Sequence, residues 1–383
     1  MTFSRREFMR RAGVGGLGLL GVSLVGPWSL AAPRTRSRGS SAGSRAALTS
    51  ATTAKLGVFC MPKDSETGFF EPFVNFQSEI NRPVDIYRTY RSWGKPIFNS
   101  TINNIYNPSK NPWAPPELYI SFHAFFDSKG RNCVPWADIA AAKHDAVIDS
   151  WAQELKQLQQ LGRTHHYVVF HHEMENEEGT PPGGSGTPAE FQEAFWYFRR
   201  RIEVVNGVSD LTWVITYMHN TFAPYLKHGG PDRWWPAASP YPDVPNDHLV
   251  GVDVYNRYLC HDRAWRTFNH LTNPQLKSAT KQALTAYRYS VGKGRRLFIG
   301  ECGCVEGDTC GGTLPYGTAK AQWFNEALTE MQGWPNLEAF CHSNVTSNVT
   351  GFDAGDYRID TSAEAQAAFK ALANDLLFTR GTG

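Results

Sequence analysis

Short β-branched and aromatic runs recur eight times along the chain, with helix-periodic segments between most of them, and this alternation confines the chain to very few folds. The runs are Leu56–Met61, Val84–Tyr90, Leu118–Phe125, His166–Glu173, Leu211–Tyr217, Leu249–Tyr255, Arg296–Glu301 and Leu337–His342. Helical spacing is read over Phe69–Ile80, Ile139–Leu161, Pro188–Val205, Trp265–Val291 and Ala319–Gln332, and again over Ser362–Leu377 after the last run. Eight strand–helix units in succession are the count of a closed parallel barrel, so an α/β fold of the (β/α)8 TIM-barrel type is expected, as a single domain over residues 55–383.

The segment before that domain has a different character. Ser4-Arg5-Arg6-Glu7-Phe8 precedes an uncharged stretch from Ala12 to Leu30 and the small pair Ala31-Ala32. Paired arginines, an apolar run and a small-residue cleavage point predict a twin-arginine export signal over residues 1–32, and therefore a secreted or extracytoplasmic protein. An uncleaved membrane tether is the alternative, although glycines and a proline dilute the apolar run. Residues 33–54, rich in Ser, Thr, Ala and Arg, read as a disordered linker. Without residues 1–54 the chain loses eight arginines and one glutamate, which takes its formal charge from +2 to −5. A mildly acidic body speaks against a nucleic-acid partner, since phosphate binding needs a basic face. No cofactor is implied, and a monomer is expected.

In such a barrel the active site lies where the strands end, so the polar residues that close each strand are the candidates. They are Arg88, His123, His172 with Glu173, Tyr217 with His219, Asp253 with Tyr255, Glu301, and His342. Two of them are glutamates at the ends of otherwise apolar runs, Tyr167-Val168-Val169-Phe170-His171-His172-Glu173 and Leu297-Phe298-Ile299-Gly300-Glu301. Paired carboxylates on opposite sides of a narrow barrel suit acetal cleavage with retention, where one acid protonates the leaving oxygen and a second carboxylate, about 5–5.5 Å away, attacks the anomeric carbon. Glu173 is read as the general acid/base and Glu301 as the nucleophile. Gly300 allows a close backbone approach just before that acid.

These residues resemble glycoside hydrolase family 26, whose best-known members are β-mannanases. His172-Glu173-Met174 is similar to the family's acid/base motif, Gly251-Val252-Asp253-Val254-Tyr255-Asn256 to its sixth strand and Ile299-Gly300-Glu301 to its nucleophile strand. Trp136-Ala137-Asp138-Ile139-Ala140 with His144-Asp145 and Ile148 resembles its lead into the third helix. The resemblance implies Glu173 and Glu301 as the catalytic pair, His172 as a substrate-positioning neighbour and Tyr255 as a hydrogen-bond donor beside the nucleophile. It implies a retaining, endo-acting hydrolase of a β-mannan-type or related β-linked polysaccharide. The walls differ: Glu175-Asn176-Glu177-Glu178 stands where Asn-Gly and tryptophans are usual, Val169 where an arginine is common, and Phe340-Cys341-His342-Ser343-Asn344 carries no tryptophan.

Further candidates for the sugar site are His123, Arg88, Asn176 and the pair Trp234-Trp235, with Trp93 as another possible stacking ring; packing inside a large protein is the competing reading for each tryptophan. Arg88 could instead form a structural salt bridge. Asp253 shares a strand face with Tyr255 and could support the site. Four histidines, His165, His166, His171 and His172, invite a metal-dependent hydrolase, but strand neighbours point to opposite faces and cannot easily share an ion. A barrel that binds glycan without cutting it is the other alternative. Seven cysteines in an exported chain suggest some disulfides, with Cys304 and Cys310 as the first candidate pair.

Overall fold

The computed structural model describes residues 53–62, 66, 68–126, 132–222, 227–256, 282–306, 319–347 and 355–378. The expected export signal lies outside them, as do Cys310 and the first part of the helix read from Trp265. Eight strands, β1 (Lys55–Cys60), β2 (Ile86–Ser92), β3 (Glu117–His123), β4 (His166–Phe170), β5 (Leu211–Met218), β6 (Leu249–Asn256), β7 (Leu297–Cys304) and β8 (Leu337–Asn344), pair in sequence order and close into one parallel barrel. The chain is thus a (β/α)8 TIM barrel.

The helices are α1 (Phe70–Ile80), α2 (Ser100–Ile105), α3 (Trp136–Ala140), α4 (Asp145–Gln160), α5 (Pro188–Arg200), α6 (Gln282–Gly292), α7 (Ala319–Gln332) and α8 (Ala363–Ala373). Local chemistry sets their starts. Before α5, the Thr187 hydroxyl accepts from the Glu190 amide and the Glu190 carboxylate accepts from the Thr187 amide, with Pro188 in the first turn. One segment read as continuous, Ile139–Leu161, is broken by a turn at Ala141–His144, where Ala142 takes a positive φ of 66°. Among the described residues no helix is long and apolar enough to cross a membrane.

Strand alternation sorts side chains into two cores. On β6, Val250, Val252 and Val254 face the helices, and Leu249 faces the barrel axis with Asp253 and Tyr255 above it. The axis is filled by Tyr119, Tyr167, Phe298 and smaller residues, with Tyr119 and Phe298 ring centroids 4.4 Å apart. This apolar plug blocks the barrel from below, so polar groups collect only at the carboxyl-terminal mouth and at the opposite rim.

Strand parity corrects two expectations, and packing corrects others. His342 points outward and packs among Phe76, Phe324 and Phe369, where burial pushes its imidazole down to about 3. Tyr217 likewise faces the helices, its hydroxyl donating to the Pro231 carbonyl. Trp234 and Trp235 are core residues, the first edge-on to Trp136 and Phe191 and the second against His248, and Trp93 packs on Trp151. Nine of the ten tryptophans among the described residues are buried, so the rings suggested for sugar stacking build the helix layer instead. Cys304 carries a thiol that donates to the Val305 carbonyl, and Cys310, the partner first suggested for it, lies outside the described residues.

At the opposite rim Glu117 accepts from Lys55 Nζ at 2.7 Å and lies 3.3 Å from His165 Nδ1. Burial opposes its charge, but His165 and Lys55 outweigh burial and hold the carboxyl below its ordinary value. The depressed folded-state value makes this a stabilising contribution above the unfolded value, lost as pH falls. Glu117→Gln is therefore expected to lower Tm by about 2 °C at pH 7. Scanning calorimetry at pH 7 and pH 3 checks it: the gap should close at the lower pH.

Candidate active site

Four strands deliver polar side chains to one point at the mouth. From β2, alternation brings Arg88 and Tyr90 up on the inner face, one turn of pleat apart. The Arg88 guanidinium lies 3.8 Å from the Tyr119 ring centroid and 4.4 Å from that of Tyr90. Its Nε donates to the Tyr90 hydroxyl at 2.9 Å, and Nη2 reaches His172 Nδ1 at 2.9 Å and Glu301 Oε1 at 3.4 Å. Arginine has only donors, so Nδ1 of His172 accepts and the ring proton resides on Nε2. That nitrogen lies 3.1 Å from Glu301 Oε1 and 3.2 Å from Asp253 Oδ2.

Glu301 sits within β7, not at its end as the sequence suggested. The pairing register with β6 and β8 shifts around it, an irregularity that re-aims the side chain inward directly after Gly300. A Cβ at Gly300 would come within 2.8 Å of the Tyr119 hydroxyl and 2.9 Å of Asp253 Oδ1, so only glycine fits there. The Glu301 carboxylate accepts from the Tyr90 hydroxyl at Oε1 and from the Tyr255 hydroxyl at Oε2, 2.7 Å away. Because Tyr255 gives its proton to Glu301, Ser343 of β8 donates to Tyr255 across 2.8 Å. Burial alone would raise the Glu301 pKa, but His172, Arg88 and Tyr90 together reverse that and hold the carboxyl well below the usual carboxylate range.

Glu173 also departs from expectation. β4 ends at Phe170, so Glu173 stands on the turn that follows, with φ 47° and ψ 51° in the left-handed region. A non-glycine residue there costs roughly 1 kcal/mol, which the turn around it must offset. Its amide donates to the Thr216 carbonyl of β5, and Asn176 returns to it twice, amide to backbone carbonyl at 3.0 Å and Nδ2 to Oε2 at 3.0 Å. Asp253 lies between the two glutamates: its buried carboxyl is pushed well above the ordinary range by desolvation and then by Glu301 and Glu173.

His123 completes the inner wall, its ring centroid 5.5 Å from that of His172 and 5.9 Å from that of Tyr90. Of the residues expected at the site, Glu173, Glu301, His172, Tyr255, His123, Arg88 and Asn176 are brought together; Trp234 and Trp235 are not. Tyr90 and Ser343 escaped the sequence reading. Tyr90 was legible in principle, being two residues beyond Arg88 on the same strand face, whereas Ser343 gave no signal. His165 and His166 lie at the far rim, where His166 Nδ1 accepts from the Leu118 amide. Among the described residues, the group whose ligand atoms could share an ion is His172, Asp253 and Glu301. Arg88 already supplies positive charge to two of those three.

The whole-chain comparisons speak to the same architecture. The YdhT protein of Bacillus subtilis superposes with a TM-score of 0.51 at 15% identity, over 84% of this chain and 85% of that one. A modular endo-β-1,4-mannanase of glycoside hydrolase family 26 from Cellulomonas fimi gives 0.52 at 17%, over 86% and 72%. The fold is like that of the family 26 mannanases. A mannanase of Bacillus subtilis, BCman, follows at 0.50 and 15%, over 84% and 85%. No protein-family model and no curated protein sequence matches the chain.

Arg88→Met removes the cation beside Glu301 while keeping its stem. The pKa of Glu301 should rise, so kcat/KM is expected to fall roughly 100-fold at neutral pH and its acid limb to move to higher pH. A pH–rate profile of the variant on any turned-over substrate reads both.

Proposed function

We propose that this protein is a retaining, endo-acting glycoside hydrolase that cleaves a β-linked polysaccharide, of β-mannan type or a related β-glycan, by double displacement. The observation that carries the reading is the contrast between the two glutamates. Glu301 is ionised in a cradle of donors, the state of a nucleophile. Glu173 is partly exposed on its turn, with Asn176 Nδ2 on its Oε2 and the buried Asp253 carboxyl beside it, a setting open to the proton exchange that an acid/base needs.

In this reading Glu301 Oε attacks the anomeric carbon while the Glu173 carboxyl gives its proton to the departing glycosidic oxygen. A glycosyl ester on Glu301 results. Glu173, now ionised, takes a proton from water as the water attacks the same carbon, and the Glu301–sugar bond breaks with net retention. Tyr255 and Tyr90 fix the carboxylate orientation for in-line attack, and His172 orders both Asp253 and Glu301 from the acid/base side. Endo action draws support from the mannanase structures with which the fold is shared, and an export signal over residues 1–32 suits a polymer that cannot enter a cell.

With nine of the ten described tryptophans buried, stacking falls to phenylalanines at the rim. Phe125 is half-buried with its ring centroid 4.8 Å from His123, and Phe126 is 51% exposed on a hairpin tied to β2 by the Trp93 amide and to the loop after β4 by the Cys133 amide. An exposed ring next to Phe125 suits stacking on a pyranose.

A screen of the protein against soluble β-mannan, xylan, β-1,3-glucan and mixed-linkage glucan tests the reading, with Glu301→Ala in parallel. Reducing ends should appear with the wild type, fall by at least about 10⁴-fold in the variant, and persist in a chelator. Proton NMR of the first-formed product should show the β-anomer. Release lost on chelation would point to a metal hydrolase, and tight binding without release to a glycan-binding barrel. On the glycan that responds, Phe126→Ala is expected to raise KM by roughly 10-fold with little change in kcat.

A further inference from the structure

The turn that carries Glu173 contains a second buried carboxyl that the reaction above does not use. Glu175 is 1% exposed. Its Oε1 accepts from the Thr221 hydroxyl at 2.5 Å, and Oε2 is a buried oxygen without a hydrogen-bond partner. The side chain therefore leaves the turn Met174–Glu177 and plunges toward the segment that continues β5, where Thr221 follows Met218. The titratable groups facing it are Glu173 from its own turn and Tyr217 from β5, and each of these interacts with it unfavourably when charged. The backbone amides of Glu175 and Met218 favour its charge, the first by more than Glu173 opposes it, but burial outweighs them.

A carboxylate so placed would have the Thr221 hydroxyl and two backbone amides against it but no cation among the groups that act on it, and a buried ion without a countercharge costs several kcal/mol. The same group as a neutral acid keeps its bond from Thr221 and removes the repulsion with Glu173. We propose that Glu175 is a positioning residue for the acid/base, its uncharged carboxyl anchoring the turn that presents Glu173 to the end of β5. This rests on the proposed role of Glu173. The anchor answers a specific need, because Glu173 is held in a left-handed conformation, with φ 47° and ψ 51°, that the packing of its turn must maintain. Burial, eased by Thr221 and reinforced by Glu173, moves the Glu175 carboxyl up to about 8, so the neutral form spans the range below that pH.

Two variants test it, one readout being independent of catalysis. Glu175→Gln retains a neutral acceptor of the same shape, and Glu175→Ala removes the anchor. For a carboxyl raised on folding, the stabilisation is complete below its unfolded value near 4.5 and is lost as pH rises through about 8. The Tm of Glu175→Gln should therefore match the wild type at pH 4.5 and exceed it by about 3 °C at pH 8.5. On the responsive glycan at pH 6, Glu175→Gln should keep kcat within about 3-fold, and Glu175→Ala should lose roughly 100-fold in kcat at nearly unchanged KM. A Tm difference that is flat with pH, or a kcat that survives in Glu175→Ala, overturns the proposal. Should no glycan be cleaved, the proposed function fails by itself, and the pH dependence of Tm still decides whether Glu175 is the neutral anchor.

Discussion

A single buried negative charge organises this molecule. Glu301 is 3% exposed, and an ion at that depth is tolerable only where several donors replace its lost hydration. Those donors come from three other strands: Arg88 and Tyr90 from β2, His172 from the end of β4, and Tyr255 from β6. None of these groups is near Glu301 in sequence. The barrel must therefore close, with its strands in register, before the charge is compensated, which ties the integrity of the fold to the chemistry at its mouth.

The layers beneath follow from the same constraint. Tyr119 does two jobs, filling the axis against Phe298 and offering its ring face to the Arg88 guanidinium. A cation held flat on an aromatic ring keeps its edge free for donors, and Arg88 spends that edge on Tyr90, His172 and Glu301. Gly300 belongs to the same design, because the axis-facing Tyr119 hydroxyl and Asp253 take the space a side chain would need. Asp253, buried and acted on by both glutamates, is pushed toward its neutral form.

Around Glu173 the order is different. β4 stops three residues short of Glu173, and a turn packed by Met174, Glu175 and Glu177 takes over. Acidic residues at 175, 177 and 178 look on paper like an exposed charged wall. In the structure Glu175 is bound to Thr221, the Glu177 carboxylate accepts from the Cys133 thiol at 3.2 Å, and Glu178 pairs with Arg233. Their work is to join the loops that follow β3, β4 and β5.

Eight apolar runs separated by helical spacing were enough to determine the barrel, since strand and helix periods are local properties and eight parallel units have one common way to bury both faces. The two glutamates proposed for catalysis were legible as charges interrupting apolar runs, although Glu301 lies within β7 and Glu173 on the turn beyond β4. What the chain alone could not decide was which side of each strand a residue occupies once bulges and early strand ends intervene. Hence His342 was placed at the mouth although parity turns it outward, and Tyr90 and Ser343 were passed over although parity turns them in. The tryptophans show the other limit, because a bulky ring in a connecting segment serves equally to pack a helix or to stack a sugar. Only tertiary structure assigns it, through the neighbours that exclude water from its faces.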